Sequence, residues 1–437
     1  MLRILSHSPD NPMHPPFRIA TRLGAVLLAL GAGVHAATPA AASASASASA
    51  SASASAPSPA PAASISATMA RNMRVYRDSK IADVDQLQPA ETVAGCAERA
   101  LPVAADPASR LDPAAWQQMQ AYSSQHQGLG LIVLIDGQVV GEAYRPGAGP
   151  LTRTQSQSMH KSIVGLAYGA ALRDGLIKSL DEPVSNYLDE WRGDARGRLP
   201  LRAFLTMSSP LRNFSVFKQE PLGMQLIFSD AIDAAALATP VDAQAPPFAY
   251  KNVDAQIAGM ALERAIARGT GLRYAQWLSK TLWCPLGNAN ASVWLERDGG
   301  SPRFFADLQA GLRDWARVGQ MIADGGRVGA RQVLPAAWLA EAGAPSPANP
   351  QYGYLMWRGS PWKAQRGYNP QTAVTIPHSA PYAVDDLVFF DGFGGQRVYV
   401  SPSRHLVIAR TGETDMSLDD AILPNLALAG MRGQARP

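Results

Sequence analysis

Ser158-Met159-His160-Lys161 sets a serine and a lysine three residues apart at the mouth of an apolar run, SIVGLAYGAALRDG. Residues so spaced share one helix face, so the amine can approach the hydroxyl, and partial burial lowers a lysine towards the range of a useful base. The pair would make Ser158 a nucleophile towards a carbonyl carbon, beside the free amide donors of a helix N-terminus. By spacing alone, an N-cap serine next to a solvated lysine fits as well. A second copy, Ser215-Val216-Phe217-Lys218, runs into Gln219-Glu220-Pro221, which offers no apolar helix to bury it, and is read as a loop coincidence.

Tyr250-Lys251-Asn252 lies just before another helical pattern. A tyrosine near an ammonium group is expected close to its phenolate form, ready to accept the serine proton, while an asparagine amide can position both a lysine and a substrate carbonyl. Y-x-N by itself is equally a surface loop. The third segment, Phe389 to Gln396 (FFDGFGGQ), joins two strand-like runs. Its glycines would let a substrate lie along exposed main chain, and an amide there could join that of Ser158 as an oxyanion hole; alone, it reads as an ordinary Gly-rich strand connection.

These segments need elements to hold them. Leu131 to Ile135, the turn Asp136-Gly137 and Gln138 to Tyr144 predict a hairpin. Helical spacing follows in Ile163, Leu166, Ala170 and Leu172 up to Gly175, in Val253, Ile257, Met260 and Ala265 before Gly269, and in Leu312, Trp315, Val318 and Ile322 before Gly325-Gly326. Strands are expected again only at Leu387 to Phe390, Arg397 to Val400 and Leu406 to Arg410, with Ser401-Pro402 as a turn. Strands at both ends with helices between imply one sheet built from distant segments, with a mainly helical insertion.

Other chemistries are poorly served. With 39 Lys+Arg against 35 Asp+Glu in 437 residues and no basic block, the chain is not expected to bind nucleic acid. Two cysteines, Cys96 and Cys284, make neither a disulfide framework nor a metal spacing. His126, His160, His378 and His405 show no metal-ligand spacing and are read as surface or packing residues. No G-x-S-x-G elbow is present. Neither metal nor organic cofactor is expected.

Residues 1–36 read as a secretory signal peptide, with Arg18 and Arg22 ahead of the apolar run Leu23 to Val34 and a small-residue exit at Ala36-Ala37. Residues 37–69 are Ala/Ser/Pro-rich, with Ser-Ala alternation from Ser43 to Ala56, and read as a disordered linker. An N-terminal extension, 70–109, precedes the expected domain at 110–433. The protein is thus expected to be exported, periplasmic or secreted, without stable membrane insertion after signal cleavage. In that oxidising setting Cys96 and Cys284 are expected to form a disulfide pinning the extension to the helical region.

The chain order S-x-x-K, Y-x-N and a Gly-containing strand resembles the serine β-lactamase-like, penicillin-recognising hydrolases, in their class C-like branch of esterases, D-alanyl peptidases and aminohexanoate-oligomer hydrolases. The likeness extends to GLIKSLDEPVSNYL (Gly175 to Leu188), LRAFLTMSS (Leu201 to Ser209), LRDWARVGQMIADGG (Leu312 to Gly326) and GGQRVYVSPSRHLVIA (Gly394 to Ala409), and covers roughly Ala115 to Gly430. It implies an α+β, transpeptidase-like fold: an antiparallel sheet flanked by helices from 110–185 and 327–433, with helical 186–326 between. It also implies Ser158 as acylated nucleophile, Lys161 and Tyr250 as its activators, Asn252 as a positioning group, and a small-molecule or short-peptide ester or amide as substrate.

One departure stands out. Where penicillin-active members carry a basic residue, then x, then Gly, this chain reads Phe390-Asp391-Gly392. The cation for a β-lactam carboxylate is missing, and Asp391 adds repulsion if it faces the cleft; Arg397 or Arg410 are candidate substitutes. Asp391, Gly392 and Phe393 become the substrate-binding strand, with the Phe393 amide as second oxyanion donor. The competing readings are a true β-lactamase or D-alanyl carboxypeptidase, and a catalytically silent binder of peptidoglycan or peptides.

Overall fold

The structure, a computed structural model, describes residues 66–96, 99–214, 219–368 and 374–433. The expected signal peptide, nearly all of the linker, and the second S-x-x-K at Ser215 to Lys218 lie outside the described residues.

The Asp136-Gly137 pair turns the chain with both residues at positive φ, 50° and 75°, which matches the twist of the strands it joins. Those strands, β1 (Gly128–Ile135) and β2 (Gln138–Tyr144), sit at one side of a six-stranded sheet. The rest comes from more than two hundred residues later: β3 (Trp357–Arg358), β4 (Val388–Gly392), β5 (Gln396–Ser401) and β6 (Leu406–Gly412). Their order is β2-β1-β6-β5-β4-β3, antiparallel throughout. The run Leu406 to Arg410 pairs Ile408 with Val133 and Arg410 with Leu131, which closes the sheet from its two distant halves.

Helices cover both faces. Leu312–Ala323 packs against β1, β5 and β6, and Gly319 lets it approach Val398, Val400 and Val407. Pro113–Gln125 lies against β1 and packs with Ile422–Gly430. Helix α1 (Met159–Arg173) is buried along nearly its whole length, from Met159 to Ala171, as expected of an apolar helix lodged in a core rather than on a surface. It packs on α2 (Asn252–Thr270), which ends at Gly271, φ 70°, two residues beyond the expected stop at Gly269.

The intervening region is less purely helical than its sequence suggested. Ala291–Trp294 and Leu308–Gly311 form a second sheet with Arg153–Thr154 and with Ala90–Val93 from the N-terminal extension. A strand of four residues buried on both sides shows no alternation, so ASVW and LQAG carried no strand signal. The extension itself is ordered into the fold: Ala67–Asp78 is a helix capped by Ser66, and Asn72 donates to the Phe228 carbonyl at 2.9 Å. Leu312–Ala323 belongs with the main sheet, and not with the helical region that 186–326 was expected to form. Among the described residues no helix is long and apolar enough to cross a membrane.

Candidate active site

Gln157, immediately before the serine, holds φ 49°, a left-handed conformation costly for a side chain with a Cβ and maintained only where the surroundings over-determine it. They do so here. The Gln157 carbonyl accepts from the Asp307 amide at 3.1 Å and from Ser156 Oγ at 3.0 Å, and Ser156 Oγ accepts from the Leu308 amide at 3.0 Å. Ser158 therefore emerges at the N-cap of α1 with its hydroxyl making no capping hydrogen bond.

That hydroxyl meets Lys161. Lys161 Nζ lies 2.9 Å from Ser158 Oγ, 2.9 Å from Asn252 Oδ1 and 2.7 Å from the Phe305 carbonyl. The amine is 1% exposed. Burial drives its pKa down to about 7, against the opposing pull of Asp391 and Asp307. A large fraction of the amines is thus neutral near pH 7, each with a lone pair facing a serine proton.

Tyr250 and Asn252 reach the same point from one short segment. Lys251 is extended (φ −129°, ψ 137°), so its neighbours project to one side and it to the other. Lys251 Nζ is buried on the Ser209 and Leu211 carbonyls and pairs with Asp254 at 3.3 Å, a structural duty. Tyr250 hydrogen-bonds to Ser158, and its ring centroid stands 4.9 Å from Lys161 Nζ. Tyr352, Trp357 and Tyr368 box the ring at 6.0, 5.4 and 5.4 Å. The expected phenolate is corrected by this environment: burial, then the charge of Asp391, hold the phenol well above its ordinary pKa. Tyr250 rests protonated, and the lowered group of the pair is Lys161.

The glycine strand comes up beside the nucleophile turn. A Cβ on Gly392 would overlap the Ser156 carbonyl, so only glycine lets β4 approach this closely. Phe393 follows, partly exposed, ahead of Gly394 and Gly395 at φ 78° and 98°. Asp391 is a correction. Side chains alternate along a strand, so with Gly392 against the turn, Asp391 points to the opposite face. There it is 2% exposed and held by Arg366 at 2.7 Å and Arg397 at 2.5 Å, and it cannot repel a ligand as a free acid. Neither candidate substitute cation is free: Arg397 belongs to that cluster, and Arg410 is buried on the Gly395 and His126 carbonyls.

No motif pointed to the Phe305 carbonyl or to what sets it. His160, inside the S-x-x-K, is fully buried, with Nδ1 3.1 Å from the Arg303 and Ala306 carbonyls and Nε2 3.1 Å from the Tyr274 hydroxyl. Burial lowers it to about 4, so it is neutral, donates from Nδ1 and accepts from the tyrosine. It thereby fixes the 303–306 loop that presents Phe305 to Lys161. Of the other histidines, His126 pairs with Asp415 at 3.1 Å, His378 is buried and His405 is half exposed. Among the described residues no group of three His, Cys, Asp or Glu could hold a metal ion. Cys96 and Cys284 are bonded as a disulfide with Cα atoms 4.8 Å apart, between the end of Ala90–Val93 and the turn after Trp283.

Comparison with known proteins shows the family and the fold. The Beta-lactamase family model matches residues 114–424. The 6-aminohexanoate-dimer hydrolase of Paenarthrobacter ureafaciens is 26% identical over 223 residues, which are 48% of this chain and 55% of that protein, so the chain spans about half the length of this curated relative. A Bacillus anthracis protein provisionally named a 6-aminohexanoate-dimer hydrolase superposes with a TM-score of 0.62 at 17% identity, over 80% of this chain and 92% of that one. A penicillin-binding protein homologue from Caulobacter crescentus does so with a TM-score of 0.53 at 15% identity, over 78% and 99%. The fold is that of the β-lactamases and transpeptidases, and the chain belongs to the beta-lactamase family of hydrolases.

Proposed function

We propose that the protein is an exported serine hydrolase that cleaves esters or amides lacking an essential carboxylate, through an acyl-Ser158 intermediate. The observation carrying this is the 2.9 Å contact between Ser158 Oγ and a buried Lys161 Nζ whose pKa lies at about 7. Ser158 Oγ attacks the carbonyl carbon as its proton passes to Lys161. The oxyanion is received by the amides of Ser158 and Phe393. As the tetrahedral adduct collapses, the leaving alcohol or amine takes the Tyr250 proton, and Tyr250 regains one from the Lys161 ammonium. Water then attacks the acyl carbon, returns its proton to the same pair, and releases the acid.

Substrate charge follows from the arginines. An anionic β-lactam needs a cation where its carboxylate lands, and Arg366, Arg397 and Arg410 are all engaged away from the turn. Losing one charge-assisted hydrogen bond costs about 1.5 to 3 kcal/mol, roughly a 10- to 100-fold loss. Export rests on the 23–34 apolar run and is checked by fractionating cells that produce the full chain.

The test of the mechanism is intact mass after exposure to a fluorophosphonate and, separately, to benzylpenicillin. A single adduct on the wild type that Ser158→Ala abolishes is expected with the first, and slow or absent acylation with the second. Labelling that survives Ser158→Ala refutes the nucleophile; efficient penicillin turnover refutes the charge preference.

A further inference from the structure

Behind the glycine strand lies a buried ring of alternating charge. Arg366, on Gln365–Gly367, donates to Asp391 Oδ2 and Asp420 Oδ2, both at 2.7 Å. Arg397, on β5, reaches Asp391 Oδ1 at 2.5 Å and Asp420 Oδ1 at 2.8 Å. All four side chains are 1 to 2% exposed, and Arg366 stacks on Trp357 with its guanidinium carbon 4.3 Å from the ring centroid. Such a group is a poor bargain for stability, since replacing a buried ion network by apolar side chains is often neutral or favourable. Its two outward connections suggest another use.

The first runs from Arg397 to the glycine strand. Arg397 Nη1 donates to the Gly392 carbonyl at 2.8 Å. That carbonyl shares its peptide unit with the Phe393 amide, and in a trans peptide the C=O and N–H point in opposite directions. Holding the oxygen on the guanidinium side therefore aims the N–H away from it, and a charged donor on the oxygen polarises the unit and strengthens the amide as a donor. The second connection runs from Arg366. Two residues on, the Tyr368 carbonyl accepts the Tyr250 amide at 2.9 Å, the Tyr368 ring lies 5.4 Å from that of Tyr250, and the Tyr368 hydroxyl reaches Asp391 Oδ1 at 3.4 Å.

We propose that the Arg366–Asp391–Arg397–Asp420 network is a positioning unit for two catalytic groups at once, Arg397 setting the Phe393 oxyanion amide and Arg366, through Tyr368, setting Tyr250. The inference rests on the acyl-serine reading above. The carboxylates hold the two arginines, and Arg397 acts through the Gly392 carbonyl and Arg366 through Tyr368, whose carbonyl accepts the Tyr250 amide.

The full-length enzyme tests it with Arg397→Lys, Arg366→Lys, Tyr250→Phe and the double variant Arg366→Lys/Tyr250→Phe. Readouts are kcat and KM for p-nitrophenyl acetate and the rate of fluorophosphonate adduct formation, whose tetrahedral phosphorus uses the same oxyanion donors. Small displacements of reacting groups cost up to about 100-fold, so Arg397→Lys is expected to lower kcat and labelling rate by roughly 10- to 100-fold with KM within about threefold. Arg366→Lys is expected to lower kcat comparably, and the double variant to be no slower than Tyr250→Phe alone, because both changes disable one group. Should Arg397→Lys or Arg366→Lys not fold, Arg397→Gln and Arg366→Gln, which keep a donor without the charge, carry the same comparisons. Multiplying losses in the double variant, a change confined to KM, or undiminished labelling in Arg397→Lys overturns the inference while leaving Ser158 as nucleophile. A wild type that forms no adduct overturns the acyl-serine reading, and the inference with it.

Discussion

Lys161→Met replaces a buried amine by an apolar chain of similar length, and its effect on stability must change steeply with pH if the amine is the resting base. In the folded protein Lys161 loses its proton at about 7, against 10.5 ordinarily. The unfolded chain therefore binds one more proton than the folded one across that window, and wild-type stability rises with pH through it. The whole difference is worth about 5 kcal/mol at ~1.4 kcal/mol per tenfold, of which about 3 kcal/mol falls between pH 7 and 9.5. The variant has no such proton to lose. It instead leaves the Phe305 carbonyl and Asn252 Oδ1 without their donor, a roughly pH-independent cost of about 1 to 3 kcal/mol for each buried acceptor. Urea unfolding of both proteins at pH 7, 8 and 9.5 is thus expected to show the variant losing ground by about 3 kcal/mol from the lowest pH to the highest. This range lies above the pKa of about 6 to which burial raises neighbouring Asp307, so that carboxylate adds little slope. A stability difference flat across the series would mean that Lys161 stays protonated throughout, and would remove it as the general base.

In ester hydrolysis, Lys161→Ala and Tyr250→Phe are each expected to lower kcat by ~100-fold or more, and wild-type kcat/KM to fall below pH about 7 as Lys161 takes up its proton; near-full activity in either variant removes that residue from the mechanism. Gly392→Ala drives a Cβ into the Ser156 carbonyl, so fluorophosphonate labelling should drop by roughly 10-fold or more, and an unchanged rate would show that β4 does not abut the nucleophile turn. Thiol titration of the unreduced, denatured protein should find no free thiol, because Cys96 and Cys284 are bonded; two reactive thiols would contradict the bridge.

Some of this was legible locally. Asp136-Gly137 between two β-rich runs specifies a hairpin because few dipeptides tolerate positive φ twice, and the apolar spacing after Lys161 specifies a helix on which Ser158 and Lys161 share a face. Tyr250 and Asn252 were legible as candidates only, since Y-x-N by itself is equally a surface loop; in the structure the extended Lys251 between them turns both the same way. The resemblance to the β-lactamase-like hydrolases, carried by those motifs and their order, agrees with the family match over 114–424.

Local spacing thus tells which side chains can do chemistry and which elements carry them, because helix and strand periods are properties of neighbouring residues. How those side chains behave depends on what packs around them. Lys161 becomes a base because α1 is buried, and the Phe305 carbonyl, 144 residues away, accepts from its amine and orients it. Tyr250 remains a phenol because burial and the charge of Asp391 outweigh its hydrogen bond with Ser158. Asp391 turns from a candidate ligand into one of four members of an ion network because Arg366 and Arg397 reach it from two other strands. Burial and long-range pairing set protonation and orientation, and neither is written in the spacing of residues along the chain.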